Sequence, residues 1–278
     1  MDLKNKVVLV TGGASGIGKA LCQRFHQEGA RGIGVADLDF EGAQDVASTV
    51  DGLALRTDVS READIRAAVR ATEERFGPVD VLCSNAGVGF TDAPGWMAAS
   101  QTNAQWDKIW KINLMSHVWG ARAVLPGMIG RGSGYLLNTS SAAGLLSQIG
   151  DAAYSATKHA AIGFAESLAI THYEQGIRVS VLCPQAIDTP LLEAEGDRAR
   201  ALAAAKFDGV RTVEELADVT VEAMANETFL ILVHPETRKH MQHKVADYDR
   251  WLGGMRRLRR TLFEDDSLMD VRVPDLEE

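Results

Sequence analysis

The chain has 278 residues, a hydrophobic content of 46% and a formal net charge of −9, with a pI near 5.3. This size and composition suit one large α/β domain, or two small ones, with an ample core. The acidic balance argues against nucleic acid or an anionic membrane as the main partner, and the sequence has no apolar run of about 18 residues that would predict a membrane span.

The beginning of the chain and its cysteines indicate a cellular compartment. The first residues, MDLKNKVVLVTGG, pass directly from a short polar lead into a strand-like run, which is not the pattern of a secretory signal. Cys22, Cys83 and Cys183 are odd in number and lie in apolar segments, as reduced thiols do. We therefore expect a cytoplasmic protein.

Short apolar runs alternate with helical stretches along the chain. Most runs lack polar alternation, as expected for strands buried on both faces of a parallel sheet. We predict strands at 6–10, 32–37, 53–58, 79–87, 135–141, 178–184 and 229–233. Helices are predicted at about 18–29 and 60–76, from a capping box at Thr102 and Gln105 onward, and across "YSATK" to about 173. This alternation predicts a doubly wound α/β sheet with right-handed crossovers.

The segment after Pro235 has a different charge pattern. Eight Lys or Arg stand against three Asp or Glu at 236–260, whereas seven acidic residues and one Arg occupy 261–278. "DRWLGGMRRLRR" reads as an amphipathic basic helix, which could dock on a membrane or partner. Its apolar residues favour packing on its own domain or on a sister subunit; they are Trp251, Leu252, Met255 and Leu258. We expect 1–234 to form the main domain and 235–278 a helical extension of it with a disordered end.

The first strand is followed by a glycine-rich turn, "TGGASGIG", at 11–18. Gly12, Gly16 and Gly18 permit tight turning, and the N terminus of the following helix offers N–H donors to a pyrophosphate. Such a turn can also serve only as a tight connection, but its place directly after strand one favours a dinucleotide site.

Acidic residues end the second and third predicted strands. Asp37 can accept both ribose hydroxyls of an adenosine and would repel a 2′-phosphate, which predicts NAD rather than NADP; a simple strand-end cap is the alternative. Asp58 and Val59 are candidates for the adenine side, although Asp58 could instead cap the next helix with Ser60.

Tyr154 and Lys158 lie four residues apart on a predicted helix, so their side chains share one face. A nearby cation favours the phenolate form of a tyrosine, which can then donate and accept a proton near neutral pH. A chance pairing on a helix surface is the alternative explanation.

In order and spacing, the motifs of this chain resemble those of the short-chain dehydrogenase/reductase family, across 5–192 and more loosely to 233. The matching elements are "TGGASGIG", Asp37, "DV" at 58–59, "NAG" at 85–87, "KIN" ending at Asn113, "NTSSAAG" at 138–144, "YSATK" and "PQAIDT" at 184–189. The resemblance implies a Rossmann-type NAD-binding catalytic domain with a seven-stranded parallel sheet, assembled as a homodimer or homotetramer.

The resemblance also implies residue roles. Tyr154 would be the acid/base, Lys158 would favour its phenolate and hold the nicotinamide ribose, and Ser141, rather than Ser140, would polarise the substrate. Asn113 would distort its helix and hold a water of the proton relay. The implied cofactor-binding residues are Gly12, Ser15, Gly16, Ile17, Gly18, Asp37, Asp58, Val59, Asn85, Ala86, Gly87, Tyr154, Lys158, Pro184, Ile187 and Thr189.

Three features depart from the family pattern. Gln185 replaces a usual glycine after Pro184, and Ser84 stands where an asparagine is common. "HPETRKHMQHK" replaces the usual glycine-rich ending after the last strand. These departures leave open the exact nicotinamide contacts and the usual C-terminal tetramer contacts.

Loops at the carboxyl ends of the strands should build the substrate pocket. The expected lining residues are Phe90, Trp96, Met97, Leu145, Leu146, Gln148, Gln185, Leu191 and Leu192, any of which could instead be core. This largely apolar set without a basic anchor favours a neutral, moderately hydrophobic secondary alcohol or ketone. Two other function classes stay open: a non-catalytic NAD-binding sensor, and an epimerase or dehydratase without net redox.

Three histidines near the C-terminal segment raise the question of a metal site. His240 and His243 are helical neighbours and His234 precedes them. Because no acidic or cysteine partner completes a ligand set in the sequence pattern, we expect no metal.

Overall fold

One parallel sheet organises the molecule. The computed structural model describes residues 1–92, 97–190 and 208–262. Within these ranges the strands are β1 Val7–Thr11, β2 Gly32–Asp37, β3 Leu53–Arg56, β4 Val81–Ser84, β5 Gly134–Thr139, β6 Ile177–Leu182 and β7 Leu230–Ile231. Their order in the sheet is β3-β2-β1-β4-β5-β6-β7. The predicted Rossmann-type, seven-stranded parallel sheet is confirmed.

Helices connect the strands and cover both faces of the sheet. They are α1 Gly16–Gln27, α2 Phe40–Thr49, α3 Glu62–Phe76, α4 Asn103–Trp110, α5 Ser116–Gly130, α6 Ala143–Leu146, α7 Ala152–His172, α8 Val213–Ala225, α9 Glu236–Ala246 and α10 Tyr248–Leu262. A π-helical turn, Lys111–Met115, joins α4 to α5, and the predicted capping box of Thr102 and Gln105 begins α4. In the described part of the chain, no helix combines the length and apolarity that crossing a membrane requires.

The core has two parts, one on each side of the sheet. Val8 and Val10 of β1 belong to the cluster that includes Phe25 of α1, whereas Val7 and Leu9 belong to the cluster on the opposite face. Every residue of β1 is buried. Burial on both faces explains why the strand sequences are unbroken apolar runs.

The order of the strands places the functional motifs at one edge. The strand order reverses beside β1: β2 and β3 extend the sheet on one side of it, and β4 begins the other side. A crevice opens at this point, beyond the carboxyl end of β1. The glycine-rich turn follows β1, and Asn85, Ser140 and Pro184 follow β4, β5 and β6. The three cysteines are free and buried, as expected.

Some predicted boundaries differ from those of the structure. The predicted strand at 79–87 is limited to Val81–Ser84 because the "NAG" residues leave the sheet to line a cavity. The C-terminal extension is helical over α9 and α10. Residues 263–278, for which a disordered end was expected, lie outside the described residues.

Candidate active site

A cavity of about 580 Å³ opens beyond the carboxyl ends of the strands, a volume typical of ligand sites. It extends from Asp37 at the end of β2 to Tyr154 on α7. The predicted residues in its wall are Gly12, Ser15, Gly16, Ile17, Asp37, Asp58, Val59, Asn85, Ala86, Gly87, Ser141, Tyr154, Lys158, Pro184, Ile187 and Thr189. Gly18 and Asn113 lie behind the wall and support it. The structure therefore gathers the predicted cofactor and catalytic residues around one space.

The glycine-rich turn is packed too closely for side chains at two positions. A Cβ atom at Gly12 would lie 2.9 Å from Cα of Ala86, and one at Gly18 would lie 1.9 Å from the carbonyl oxygen of Gly12. Gly12 also has a φ of +67°. The side chain of Ser15 makes no capping hydrogen bond to α1. An uncapped helix N terminus next to a close backbone turn is suited to hold a pyrophosphate.

The two acidic residues near the glycine-rich turn are held in different ways. Oδ2 of Asp37 accepts a hydrogen bond from the backbone N of Ala14, and Oδ1 accepts one from Asp39, both at 3.0 Å. A carboxylate has about four acceptor sites, so Asp37 can accept further donors from the cavity. Oδ1 of Asp58 accepts from the N and Oγ of Ser60 at 2.9 and 2.7 Å, but the N-cap of α3 is Arg61 and no side chain caps this helix, so the contact with Ser60 is not a helix cap.

Helix α7 brings Tyr154 and Lys158 together. Asp151 caps the helix by accepting a hydrogen bond from the backbone N of Tyr154 at 2.9 Å. Nζ of Lys158 lies 5.4 Å from the centroid of the Tyr154 ring, and it donates to the carbonyl oxygen of Thr139 at 3.1 Å. The shared face expected from the four-residue spacing is therefore present.

Lys158 is a buried cation at the catalytic end of the cavity. Its side chain is 2% exposed, and burial lowers its pKa from 10.5 to about 8, so it stays mostly protonated at neutral pH. Burial raises the pKa of the neighbouring Cys183 thiol to about 12. Burial, and secondly the charge of Lys158, lower the pKa of His117 on α5 to about 3. Both neighbours are uncharged at neutral pH.

The two serines after β5 have different partners. Oγ of Ser140 donates to the carbonyl oxygen of Lys158 at 2.9 Å and so joins this loop to α7. Oγ of Ser141 accepts from the backbone N of Ala143 at 3.1 Å, and its bond to the carbonyl oxygen of Pro184 is long, at 3.4 Å. The hydroxyl of Ser141 is thus the less firmly engaged donor.

Asn113 lies in the π-helical turn and is fully buried. Its Oδ1 accepts from the backbone N of Val88 at 2.9 Å, and its Nδ2 donates to the carbonyl oxygen of Val88 at 2.8 Å. Nδ2 also lies 3.3 Å from Oγ1 of Thr157. The regular helix is interrupted where Asn113 lies, and the hydrogen bonds of this residue fix the loop after β4 against α7. Its water-holding role stays a prediction.

The substrate end of the cavity differs in part from the predicted one. Leu146, Gln148 and Gln185 line it. Leu145 does not, because it packs against a core cluster, and Phe90 and Met97 lie outside the wall. Trp96, Leu191 and Leu192 fall outside the described residues. The sequence did not reveal several further wall residues, which include Val88, Gly89, Ile112, Ser147, Ile149, Asp151, Met255 and Leu258. For Met255 and Leu258, the only signal was the apolar stripe of the C-terminal helix.

The histidines near the C-terminal extension differ in burial. Nε2 of His240 lies 2.9 Å from Oδ2 of Asp208, and His234 is fully buried, which lowers its pKa. Over 1–92, 97–190 and 208–262, no three His, Cys, Asp or Glu side chains are grouped as ligands for a metal ion.

The chain is similar to known dehydrogenases and reductases over most of its length. The family profile described as short chain dehydrogenase matches residues 6–200. The chain is 34% identical over 227 residues to 2-(R)-hydroxypropyl-CoM dehydrogenase of Xanthobacter autotrophicus, covering 78% of this chain and 90% of that one. It is 36% identical over 196 residues to levodione reductase of Leifsonia aquatica, covering 68% and 72%. A short chain dehydrogenase/reductase from Burkholderia phymatum in complex with NAD has the same fold, with a TM-score of 0.80 at 28% identity over 90% of this chain and 96% of that one.

The buried, neutral His117 predicts a pH dependence of stability. In the unfolded chain the imidazole binds a proton near pH 6.5, whereas in the folded protein it does so only near pH 3. Between these values the unfolded state holds one more proton, so His117 lowers the free energy of unfolding by about 1.4 kcal/mol per pH unit as the pH falls. His117→Gln should make the dependence on pH shallower by about that amount.

Urea unfolding at several pH values between about 4 and 7 measures this slope. His243 is exposed, so His243→Gln is the matched control for the loss of one imidazole. Equal slopes in wild type and His117→Gln would show that folding does not lower the pKa of His117, and would contradict the prediction.

Proposed function

This chain belongs to the short-chain dehydrogenase/reductase family, and we propose that it is an NAD-dependent oxidoreductase that interconverts a neutral, moderately hydrophobic secondary alcohol and its ketone. The observation that carries the proposal is the convergence of Tyr154, Lys158 and Ser141 on the cavity that also contains the glycine-rich turn and Asp37. Proton transfer and nucleotide binding are thereby available in one space. In keeping with the family, we propose that the subunits form a homodimer or homotetramer.

The residues around the cavity fit NAD. The closely packed turn at Gly12 and the uncapped start of α1 suit its pyrophosphate, and Asp37 suits the hydroxyls of the adenosine ribose. Asp58 and Val59 would border the adenine, 85–87 the adenosine side, Lys158 the nicotinamide ribose, and Ile187 and Thr189 the nicotinamide. When bound, NAD supplies the hydride acceptor, and its reduced form supplies the donor.

The side chains at the catalytic end handle the proton. In oxidation Tyr154 takes the proton of the substrate hydroxyl, and in reduction it returns a proton to the carbonyl oxygen. The ammonium of Lys158 favours the phenolate form of Tyr154. Nζ donates a hydrogen bond to the carbonyl oxygen of Thr139 at 3.1 Å, and an ammonium carries three N–H groups, so it can also donate to ribose hydroxyls. Ser141 donates a hydrogen bond to the substrate oxygen as negative charge develops there.

The wall near Tyr154 supports a neutral substrate. Val88, Leu146 and Ile149 are apolar, and within the described residues the wall contains no Lys or Arg except Lys158. A carboxylate or phosphate of a substrate would have no further cation to pair with in the described part of this wall, and its desolvation would be uncompensated there.

A panel of secondary alcohols and ketones tests the proposal, with NADH absorbance as the readout and both NAD and NADP as cofactors. Net NADH formation from neutral alcohols supports it. Substrate conversion without net NADH formation would indicate that the protein is an epimerase or dehydratase. NAD binding without any conversion would indicate a non-catalytic sensor. Strict preference for an anionic acid would contradict the substrate class.

Tyr154→Phe should lower kcat by about 10²–10⁴-fold, because it removes the group that exchanges the proton. The Kd for NAD should change little, since the aromatic ring is retained. Steady-state kinetics and calorimetric NAD titration measure the two effects. Tyr173→Phe is the matched control at an exposed tyrosine. Retained turnover in Tyr154→Phe would refute the acid/base assignment.

Asp37→Asn should shift cofactor preference toward NADP. The substitution keeps an acceptor for a backbone N–H but removes the charge that repels a 2′-phosphate, so the kcat/KM ratio of NADP to NAD should rise at least about tenfold, or about 1.4 kcal/mol. Asp39→Asn, at an exposed neighbouring carboxylate, should leave the ratio unchanged. Comparable kcat/KM values for both cofactors in the wild type would contradict the preference for NAD.

A further inference from the structure

The C-terminal extension reaches the reaction cavity. Met255 and Leu258 of α10 line the same space as Tyr154 and Ser141. They are three residues apart, so they lie one above the other on a single face of the helix. Arg256 and Arg257, between them in sequence, are exposed. Helix α10 therefore directs an apolar face to the cavity and a basic face to solvent.

Helix α9 is attached to the cavity through Gln185, the residue that departs from the family glycine. Nε2 of Gln185 donates to Oγ1 of Thr237 at 2.8 Å and to Oδ2 of Asp208 at 2.9 Å. The same oxygen of Asp208 bonds Nε2 of His240 at 2.9 Å. Thr237 is fully buried, and Gln185 itself lines the cavity. A side chain at position 185 thus links the wall of the site to the extension.

The junction between α9 and α10 is fixed at a second point. Nζ of Lys244 donates to the carbonyl oxygen of Leu145 at 2.7 Å, and this lysine is 7% exposed. Its ammonium lies 4.9 Å from the ring centroid of Trp251 and 5.4 Å from that of Tyr248. Helix α6, which follows Ser141, is therefore tied to the first turn of α10 by a buried cation.

The sequence of α10 indicates that its helical form depends on these contacts. Gly253 and Gly254 lie next to Met255 in the middle of the helix, and glycine weakens a helix interior. In a marginal helix, tertiary packing of the apolar face supplies most of the stability. The face that contains Met255 and Leu258 is thus held in place by packing over the cavity.

We propose that Met255 and Leu258 are specificity-determining residues, which contact the apolar part of the substrate remote from the reacting carbon. The inference deepens the proposed function and rests on it for the identity of the ligand. If these two residues contact the substrate, the protein should prefer secondary alcohols and ketones that have an extended apolar substituent. Because Gln185 and Lys244 fix α9 and the start of α10, they act as positioning residues for this wall.

Binding of two ketones that differ in length tests the proposal. We would titrate 2-butanone and 2-octanone into the full-length protein saturated with NAD, a combination that cannot react because both ligands are oxidised. Leu258→Ala should weaken binding of 2-octanone about tenfold, because buried methylene contacts are lost, and should change 2-butanone less than about twofold. Met255→Ala is the second variant, with the same expectation.

Leu252→Ala is the matched control, since it makes the same change on the same helix at a residue outside the cavity wall. It should leave both ketone affinities unchanged. The proposal is overturned if the wild type does not discriminate between the ketones, if both cavity variants keep the wild-type ratio of affinities, or if the loss falls on NAD binding instead. Ketone binding without turnover of any alcohol would refute the proposed reaction and leave the role of α10 standing.

Discussion

The burial of one ammonium group, Nζ of Lys158, constrains the rest of the active site. A buried charge is costly unless it is hydrogen-bonded, and Thr139 at the end of β5 supplies an acceptor. The loop after β5 must then lie close to α7. A Cβ atom at Gly144 would lie 2.6 Å from the carbonyl oxygen of Lys158, and Ser140 donates to that same oxygen. The position of Ser141 in the cavity follows from this close approach.

The other side of Lys158 is equally restricted. A Cβ atom at Gly87 would lie 3.3 Å from Nζ and 3.5 Å from Oδ1 of Asn113. Asn113 holds the loop after β4 through two hydrogen bonds to Val88, and the π-helical turn gives it the position to do so. The proton-transfer end of the cavity is thus enclosed by loops from two strands, both packed around one cation.

Local rules were sufficient for much of this arrangement. The spacing of Tyr154 and Lys158 predicted a shared helix face, and the place of the glycine-rich turn after β1 predicted a cavity at the carboxyl ends of the strands. The capping box at Thr102 was readable for the same reason, because its hydrogen bonds join residues three apart. Interactions that span few residues leave a signature in sequence.

Orientation and long-range docking were not readable in this way. Leu145 and Leu146 are adjacent and chemically identical, yet only Leu146 lines the cavity, since the direction of a side chain in a short helix depends on what packs against it. The apolar stripe of α10 predicted packing on the domain or on a sister subunit. It could not indicate the cavity, because the bond from Lys244 to Leu145 joins residues 99 positions apart.

Gln185 shows that both the sequence and the structure are needed to explain a departure from the family pattern. As a departure from the family glycine it was visible in the sequence, but its effect was open because a longer side chain could have obstructed the cavity. In the structure its amide nitrogen donates hydrogen bonds to Thr237 and Asp208, and the side chain takes the direction of these bonds. Gln185 and the helical extension therefore depend on each other. The amide group of Gln185 needs buried hydrogen-bond partners, and α9 supplies one of them. The docking of α9 in turn brings α10 to the cavity. A glycine at this position would offer no such bonds, and the wall formed by Met255 would lose one of its supports.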